Sequence, residues 1–523
     1  MKKLLNPNHI LLFCILILAA YLRLYKIEGY MTFLGDEGRD ALVIYNILHG
    51  KLTLLGPTAS VGGFFMGPIY YYLVAPFYWL FGYSPVGASV FVALLSVATV
   101  FLVWKISKEF FGTSAGIVAS FLYATSPLVI TYSHSSWNPN VMPFFTLLTL
   151  YILYKAVRSK NSWLFILVGI LYGIDIQLHY TELFVGLIIM LYVLLTEIWR
   201  QGRRISFSEV FETLKKGIWI FGGFLIGFSP FLAFEVRHEF PNTKSIISFI
   251  FGSPDTGGDN RFLYTVFDVF FRIFERLIVS FPVPNFQKGY SQIILTLWYT
   301  GGQLVALIAV GLLVYQFYKV IKEKKDSFYY YLLICLWLFL GIILFGFYKK
   351  QIYDYYFEFL FPVPFLIFGN AFSYFWQKKT VYKLVLSATL FLIILANYST
   401  SPLRLPANYQ FNQAKEIADF VLEKTDGKPF NFALITGGNS DHAYRYFFKL
   451  AGREPVVIQN SVIDPNRKSV TGQLLVVCDT LPCSPLGHPL WEIAGFGRAQ
   501  VAGQWDVTVI KVFKLIHYQE AKK

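Results

Sequence analysis

The chain has 523 residues, 55% of them hydrophobic and only 15% charged. That balance excludes an ordinary soluble protein, which at this length forms several domains with far more charge. The formal net charge of +14 does not point to nucleic acid, because the lysines and arginines sit in short clusters between apolar runs, the pattern of membrane insertion.

Those apolar runs recur at the length, about 17 to 25 residues, that a bilayer core demands of a spanning helix. They predict a polytopic α-helical membrane protein. The first run, residues 10–25, follows Lys2 and Lys3 and reads as an uncleaved anchor with a cytoplasmic N-terminus. Residues 28–67 then lie outside. They contain Gly35-Asp36-Glu37-Gly38-Arg39-Asp40, three carboxylates and one guanidinium within six residues. Ionisable groups beside a bilayer are costly to desolvate, which makes the cluster a functional candidate. Acidic residues at a helix N-terminus are the competing reading.

Residues 68–81 carry three consecutive tyrosines and Pro76 and are short for a span, so they are expected to lie in the outer interface. The following spans are expected at 85–106, 113–132, 141–157, 163–179, 183–199, 217–235, 293–317, 328–347, 355–376 and 384–396. This arrangement keeps every large basic cluster cytoplasmic, among them Lys155, Arg158 and Lys160; Arg200, Arg203, Arg204, Lys215 and Lys216; and Lys319, Lys322, Lys324 and Lys325. It predicts eleven spans and an external C-terminus. Allowing 68–81 to cross would place all later clusters outside.

The loops expected outside hold most of the unusual polar residues. They include His134, Trp137 and Asn138 in residues 133–140, His179 and Tyr180 in 177–182, and Lys349, Lys350, Tyr353 and Tyr356 in 348–356. Between 240 and 292, residues 253–260 read as a turn-rich connector or a lid. Residues 262–280 mix apolar positions with Asp268, Arg272, Glu275 and Arg276 and read as a helix on the membrane surface.

The composition changes at about residue 401, dividing a transmembrane domain (1–400) from an extracytoplasmic domain (401–523). Helices at 413–424 and 441–450 and strands at 432–436, 456–459, 474–478 and 505–513 predict a small α/β domain with a mainly parallel sheet. Gly437-Gly438-Asn439-Ser440 reads as a tight turn with a Ser or Asp helix cap. Cys478 and Cys483 favour a short-loop disulfide over a metal site.

The Asp36-Glu37 pair after the first span, the Gly67-Pro68-Ile69-Tyr70-Tyr71-Tyr72-Leu73 segment, Trp137-Asn138-Pro139, and a Tyr- and Lys-rich stretch before Phe361-Pro362-Val363-Pro364 occur in that order on one face. In this the chain resembles the family 39 glycosyltransferases of the C-type superfamily, which include protein O-mannosyltransferases and lipid A aminoarabinose transferases. The resemblance covers roughly residues 5–400. It implies an integral-membrane enzyme that moves a sugar from a polyprenyl-phosphate carrier to an extracytoplasmic acceptor (protein, lipid or glycan) with inversion. By the same resemblance Asp36 is the general base and Glu37 orients the acceptor or binds a metal. Asp40 is on the same helix face as Asp36 if a helix starts there, so that Asp36, Glu37 and Asp40 are candidates for a divalent cation, whose need stays open. The lysine that contacts the lipid phosphate in the aminoarabinose transferases is replaced here by Met66-Gly67-Pro68. Arg39, Lys349 and Lys350, with Tyr353 and Tyr356, are the substitutes for holding the donor phosphate. Asp40, His134, Trp137, Asn138, His179 and Tyr180 are the candidates for contacting substrate. The alternative is a transporter or flippase of a lipid-linked sugar, for which Asp175, the only carboxylate well inside a span, would be the marker.

Overall fold

The computed structural model describes residues 7–159, 161–201 and 207–519. Lys2, Lys3, Lys160, Arg203 and Arg204, which entered the topology, lie outside the described residues. The chain forms two compact units. One comprises Met1–Tyr25, Thr53–Val74 and Ser89–Pro406; the other comprises Lys26–Leu52, Ala75–Ala88 and Ala407–Lys523.

The first unit is a bundle of apolar helices, a spanning form whose backbone groups are satisfied within each segment. Among the described residues, seven helices are long and apolar enough to cross a bilayer, or ten if each of three bent pairs is one span. The chain is a multi-pass membrane protein. Each bend falls at a proline, which has no amide to donate to the preceding turn; at Pro127 the preceding Ser126 is also extended. The angles are 58° before Pro127, 78° near Pro230 and 55° at Pro362. Ser162–Leu178 is a shorter apolar helix. It packs backbone to backbone on Phe207–Gly227, because a Cβ on Gly169 or Gly173 would strike the backbone of residues 220–228. Gly223 and Gly227 repeat the four-residue spacing on the other helix, the small-residue stripe that lets membrane helices approach closely. Arg23, fully buried in the first span, is satisfied by Ser96 Oγ at 2.7 Å and the carbonyls of Ala124, Ala19 and Tyr123.

Ile69–Leu80 is a helix of 12 residues around Pro76. Residues 262–280 contain a helix, Phe262–Leu277, which buries Val269, Ile273, Phe274 and Leu277 on one stripe. The turn-rich stretch before it is tied down: Thr256 bridges Tyr348, and the Lys349 amide donates to the Asp255 carbonyl at 2.9 Å.

The second unit contains helix α1 (Gly35–Leu48), α2 (Gln410–Lys424) and α3 (His442–Leu450), with strands β1 (Asn431–Ile435), β2 (Gln473–Cys478), β3 (Ala499–Val507) and β4 (Ile510–His517). The sheet order is β1-β2-β4-β3. Only β1 and β2 are parallel, and β2–β4 and β4–β3 are antiparallel. The mainly parallel sheet expected from alternating helices and strands is therefore corrected to a mixed one. Two misreadings explain it. Residues 456–459 do not enter the sheet, and their Val456 carbonyl is taken by the Asn431 amide at 2.7 Å. Residues 505–513 are not one strand, because the chain reverses at Thr508 (φ 52°) into a hairpin. Cys478 and Cys483 are disulfide-bonded, closing the loop after β2.

Phe33, buried just before α1, stands edge-on to Phe411, Tyr446 and Phe447 at 5.5–6.0 Å. The Tyr409 amide donates to the Gly29 carbonyl at 2.9 Å. An N-terminal stretch of the chain is thus built into the core of the α/β unit.

Candidate active site

In the second unit, α1 begins at Gly35, so Asp36 and Glu37 occupy its first turn, where negative side chains oppose the positive helix end. Glu37 accepts the Leu34 amide at 3.1 Å, half of a capping box. It is partly buried, and desolvation, aided by the nearby charges of Asp36 and Asp40, pushes its pKa up to about 7. Asp36 is exposed and Asp40 buried. Arg39 lies between them: its Nη1 meets Asp36 Oδ1 at 2.8 Å, and its Nε and Nη2 meet Asp40 Oδ1 at 3.0 and 2.8 Å. The two aspartates are thus linked through a guanidinium rather than through a shared proton. Among the described residues, no three His, Cys, Asp or Glu side chains are placed to hold a metal ion, Asp36, Glu37 and Asp40 included.

The start of α1 is held from the C-terminal part of its own unit. Asn439 Oδ1 accepts both the Gly35 amide and the Ser440 amide at 2.9 Å. Ser440 is hydrogen-bonded to His442 Nδ1 at 2.6 Å, and neither Ser440 nor Asp441 caps α3 with its side chain. The expected Ser or Asp cap is corrected accordingly: the turn caps α1 instead, because its asparagine faces that helix's unpaired amides. Burial holds the His442 ring below the ordinary histidine range.

In the first unit, several candidates gather on an aromatic column. Trp137 stands 4.5 Å from Tyr355, Tyr355 4.6 Å from Tyr356, Tyr356 5.6 Å from His179, and His179 4.1 Å from Tyr180, centroid to centroid. Tyr353 joins Tyr355 at 5.8 Å. The histidines and the asparagine of this group are taken up by the protein. His134 Nε2 donates to the Leu22 carbonyl at 3.2 Å, and burial lowers its pKa to about 4. His179 is held by Thr181 through Nδ1 at 2.9 Å, and the Asn138 amide donates to the Leu178 carbonyl. Asp175 is buried and accepts from Thr149 at 2.6 Å. Of the two lysines, Lys350 pairs with Asp255 at 2.7 Å. Lys349 is half-buried beside Gly257.

Two cavities adjoin the column. A cleft of about 810 Å³ is lined by Asp268, Arg272, Glu275 and Arg276 on one side and by residues 351–355 on the other. Arg276 Nε pairs with Asp354 at 3.1 Å; Arg272 pairs with Asp268 at 3.2 Å and donates to the Ile352 carbonyl at 2.9 Å. Glu275 is 7% exposed with Oε1 unpartnered among the described residues, and burial, reinforced by Asp268, raises its pKa to about 7. A second cavity of about 470 Å³ is walled by Phe64, Phe184, Leu187, Phe249 and Phe345 and bordered by Tyr180, Tyr348 and Tyr356. By residue type alone, Arg272, Glu275 and Arg276 read only as the polar side of a surface helix. The usable signal was their spacing from Asp268, which repeats one helical face while the apolar stripe takes another.

The model of the dolichyl-phosphate-mannose-protein mannosyltransferase family matches residues 66–233, a stretch that includes Gly67–Leu73 and Trp137-Asn138-Pro139. The Bacillus subtilis (strain 168) protein described as "Putative mannosyltransferase YkcB" is 34% identical over 82 residues, which are 15% of this chain and 12% of that protein. In fold, the chain is similar to ArnT from Cupriavidus metallidurans bound to undecaprenyl phosphate, with a TM-score of 0.61 at 12% identity over 97% of both chains. It is also similar to the oligosaccharyltransferase AglB from Archaeoglobus fulgidus in complex with an inhibitory peptide and a dolichol-phosphate, with a TM-score of 0.53 at 13% identity over 91% of this chain and 69% of that one. The chain therefore has the C-type glycosyltransferase fold, and the resemblance to family 39 read from its loops holds.

Proposed function

We propose that the protein is a membrane glycosyltransferase that takes a sugar from a polyprenyl-phosphate carrier and passes it to an acceptor outside the cytoplasm. One observation carries this reading: the segment 353–356 walls both the charged cleft and the apolar cavity of the first unit. A ligand with a phosphate at one end and a long hydrocarbon at the other matches that pair of environments, since guanidinium groups suit phosphate and aromatic walls suit an isoprenoid. Arg272 and Arg276, which line the cleft, hold the phosphate, with Tyr353 as a further donor; Lys349 and Lys350 are not in its lining and contribute less. The family match at 66–233 and the relatives solved with lipid phosphates support the same donor class.

Asp36 serves as the general base that removes the acceptor's proton. Of the three acidic residues in its cluster it is the exposed one, Glu37 being used as a cap and Asp40 being buried against Arg39. Arg39, bonded to both Asp36 and Asp40, orients Asp36. The leaving phosphate departs with its charge held by the arginines, which stabilises the separating ion pair.

The donor assignment is tested by direct binding of undecaprenyl phosphate to the purified full chain. Arg272→Ala with Arg276→Ala should weaken binding at least tenfold, about 1.4 kcal/mol, and Lys350→Ala should change it little. Equal affinity in wild type and the arginine double variant would remove the cleft as the phosphate site. Mass spectrometry of lipids and glycans from cells with and without the chain then identifies product. Redistribution of a lipid-linked sugar across the membrane with no transferred product would indicate a transporter.

A further inference from the structure

The two N-terminal residues that family resemblance makes catalytic do not belong, in packing terms, to the helical bundle. They begin a helix embedded in the α/β unit. Two independent features fix that helix. Asn439 caps its first free amide, at Gly35, while bonding its own chain at Ser440. Gly35 and Gly38 bring the helix into backbone contact with residues 439–443: a Cβ at Gly35 would collide with Ser440, and one at Gly38 with the amide of Ala443 and the carbonyl carbon of His442. Glycine weakens a helix relative to alanine, so Gly38 makes sense where close approach is needed. The same turn aligns Ser440 and His442, and His442 feels the charges of both Asp36 and Arg39.

We propose that the Gly437-Gly438-Asn439-Ser440 turn is a positioning element for the acceptor-activating carboxylate, with Asn439 and Gly38 as the positioning residues that set where the Asp36 side chain stands. The inference rests on Asp36 being the base. The C-terminal segment thereby acts on the chemistry through α1 rather than through substrate contact of its own. Asn439 uses only its carbonyl oxygen in both bonds, so an aspartate in its place retains them, whereas an alanine frees the Gly35 amide. A displacement of the order of 1 Å at a reacting group costs about 100-fold in rate.

The full chain is expressed at equal level in cells lacking their own copy, with product measured by mass spectrometry and undecaprenyl phosphate affinity measured on the purified variants. Asn439→Ala and Gly38→Ala are expected to lower product formation by about 10- to 100-fold with unchanged undecaprenyl phosphate affinity. Asn439→Asp should recover most of the activity, and Gly472→Ala, at an exposed position with open space around it, should match wild type. Hydrogen exchange should quicken at residues 35–38 in Asn439→Ala while strands β1 and β2 stay protected, separating loss of the cap from unfolding of the unit. If Asp36→Asn is inactive but Asn439→Ala and Gly38→Ala transfer at the wild-type rate, the positioning role is overturned and the base assignment stands. If Asp36→Asn itself transfers normally, the base assignment falls and takes the positioning role with it.

Discussion

At the residue scale, Asp36 and Asp40 illustrate how one helical turn separates two identical side chains. Both touch Arg39, yet Asp36 keeps an open face to solvent and Asp40 is buried. Of the two, only Asp36 is open to solvent. Asp36→Asn should lower transfer by about 10² to 10⁴ with donor affinity unchanged, read by product formation and by undecaprenyl phosphate binding; near-normal turnover would exclude the base role. Glu275 offers a test that needs no substrate. Its pKa rises from 4.5 unfolded to about 7 folded, so between these values the native state binds more protons than the unfolded state. Its contribution to stability is then fully present below about pH 4.5 and is lost as pH rises through about 7, by a few kcal/mol at most. Glu275→Gln, which cannot ionise, should flatten the decline in melting temperature between those limits; an unchanged slope would show that the carboxyl is not desolvated.

At the element scale, chain breaks and close contacts trace to a few residue types. Three prolines coincide with the three bends, and two glycine pairs allow Ser162–Leu178 and Phe207–Gly227 to touch along their backbones. Gly169→Leu should therefore overpack that interface and cost at least about 2 kcal/mol, seen as loss of monodisperse protein in detergent and a lower melting temperature. Gly222→Leu, on the same helix pair with open space around it, should be tolerated; equal behaviour of the two would refute the contact. The surface helix Phe262–Leu277 has two separate faces, an apolar one that docks on the bundle and a charged one that lines the cleft. Periodicity alone registers the apolar face and cannot tell the charged one from solvated surface.

At the scale of the whole molecule, an orientation with the C-terminal segment outside the cytoplasm is what the basic clusters favour. Lys415 is exposed on α2. A cysteine there, in a Cys14→Ser background, should react with a membrane-impermeant maleimide added to intact cells; labelling only after lysis would reverse the orientation. The interleaving of the chain also matters. Residues 26–52 and 75–88 pack with 407–519, so a chain truncated near residue 400 should lose its hold on the Asp36 helix while retaining apolar helices. Purified, that truncated chain should bind undecaprenyl phosphate but form no product.

Much of this protein was legible in the sequence because a bilayer imposes a simple rule. Long apolar runs in a bilayer must be helices, so class and approximate helix positions follow from residue type and order. Local rules also sufficed for α2, α3 and the surface helix. Two kinds of feature were out of reach. Strand pairing in the small sheet depends on contacts between distant residues, and alternating elements could not distinguish a parallel sheet from a hairpin turning at Thr508. Within each unit, the candidate residues are set by contacts made across long stretches of chain: Asn439 with Gly35 in one, and Arg272 with Ile352 in the other. Residue type marked Asp36 as chemically able; only the tertiary structure decided that Glu37 caps, that Asp40 is buried, and that a turn near the far end of the chain holds the helix that carries all three.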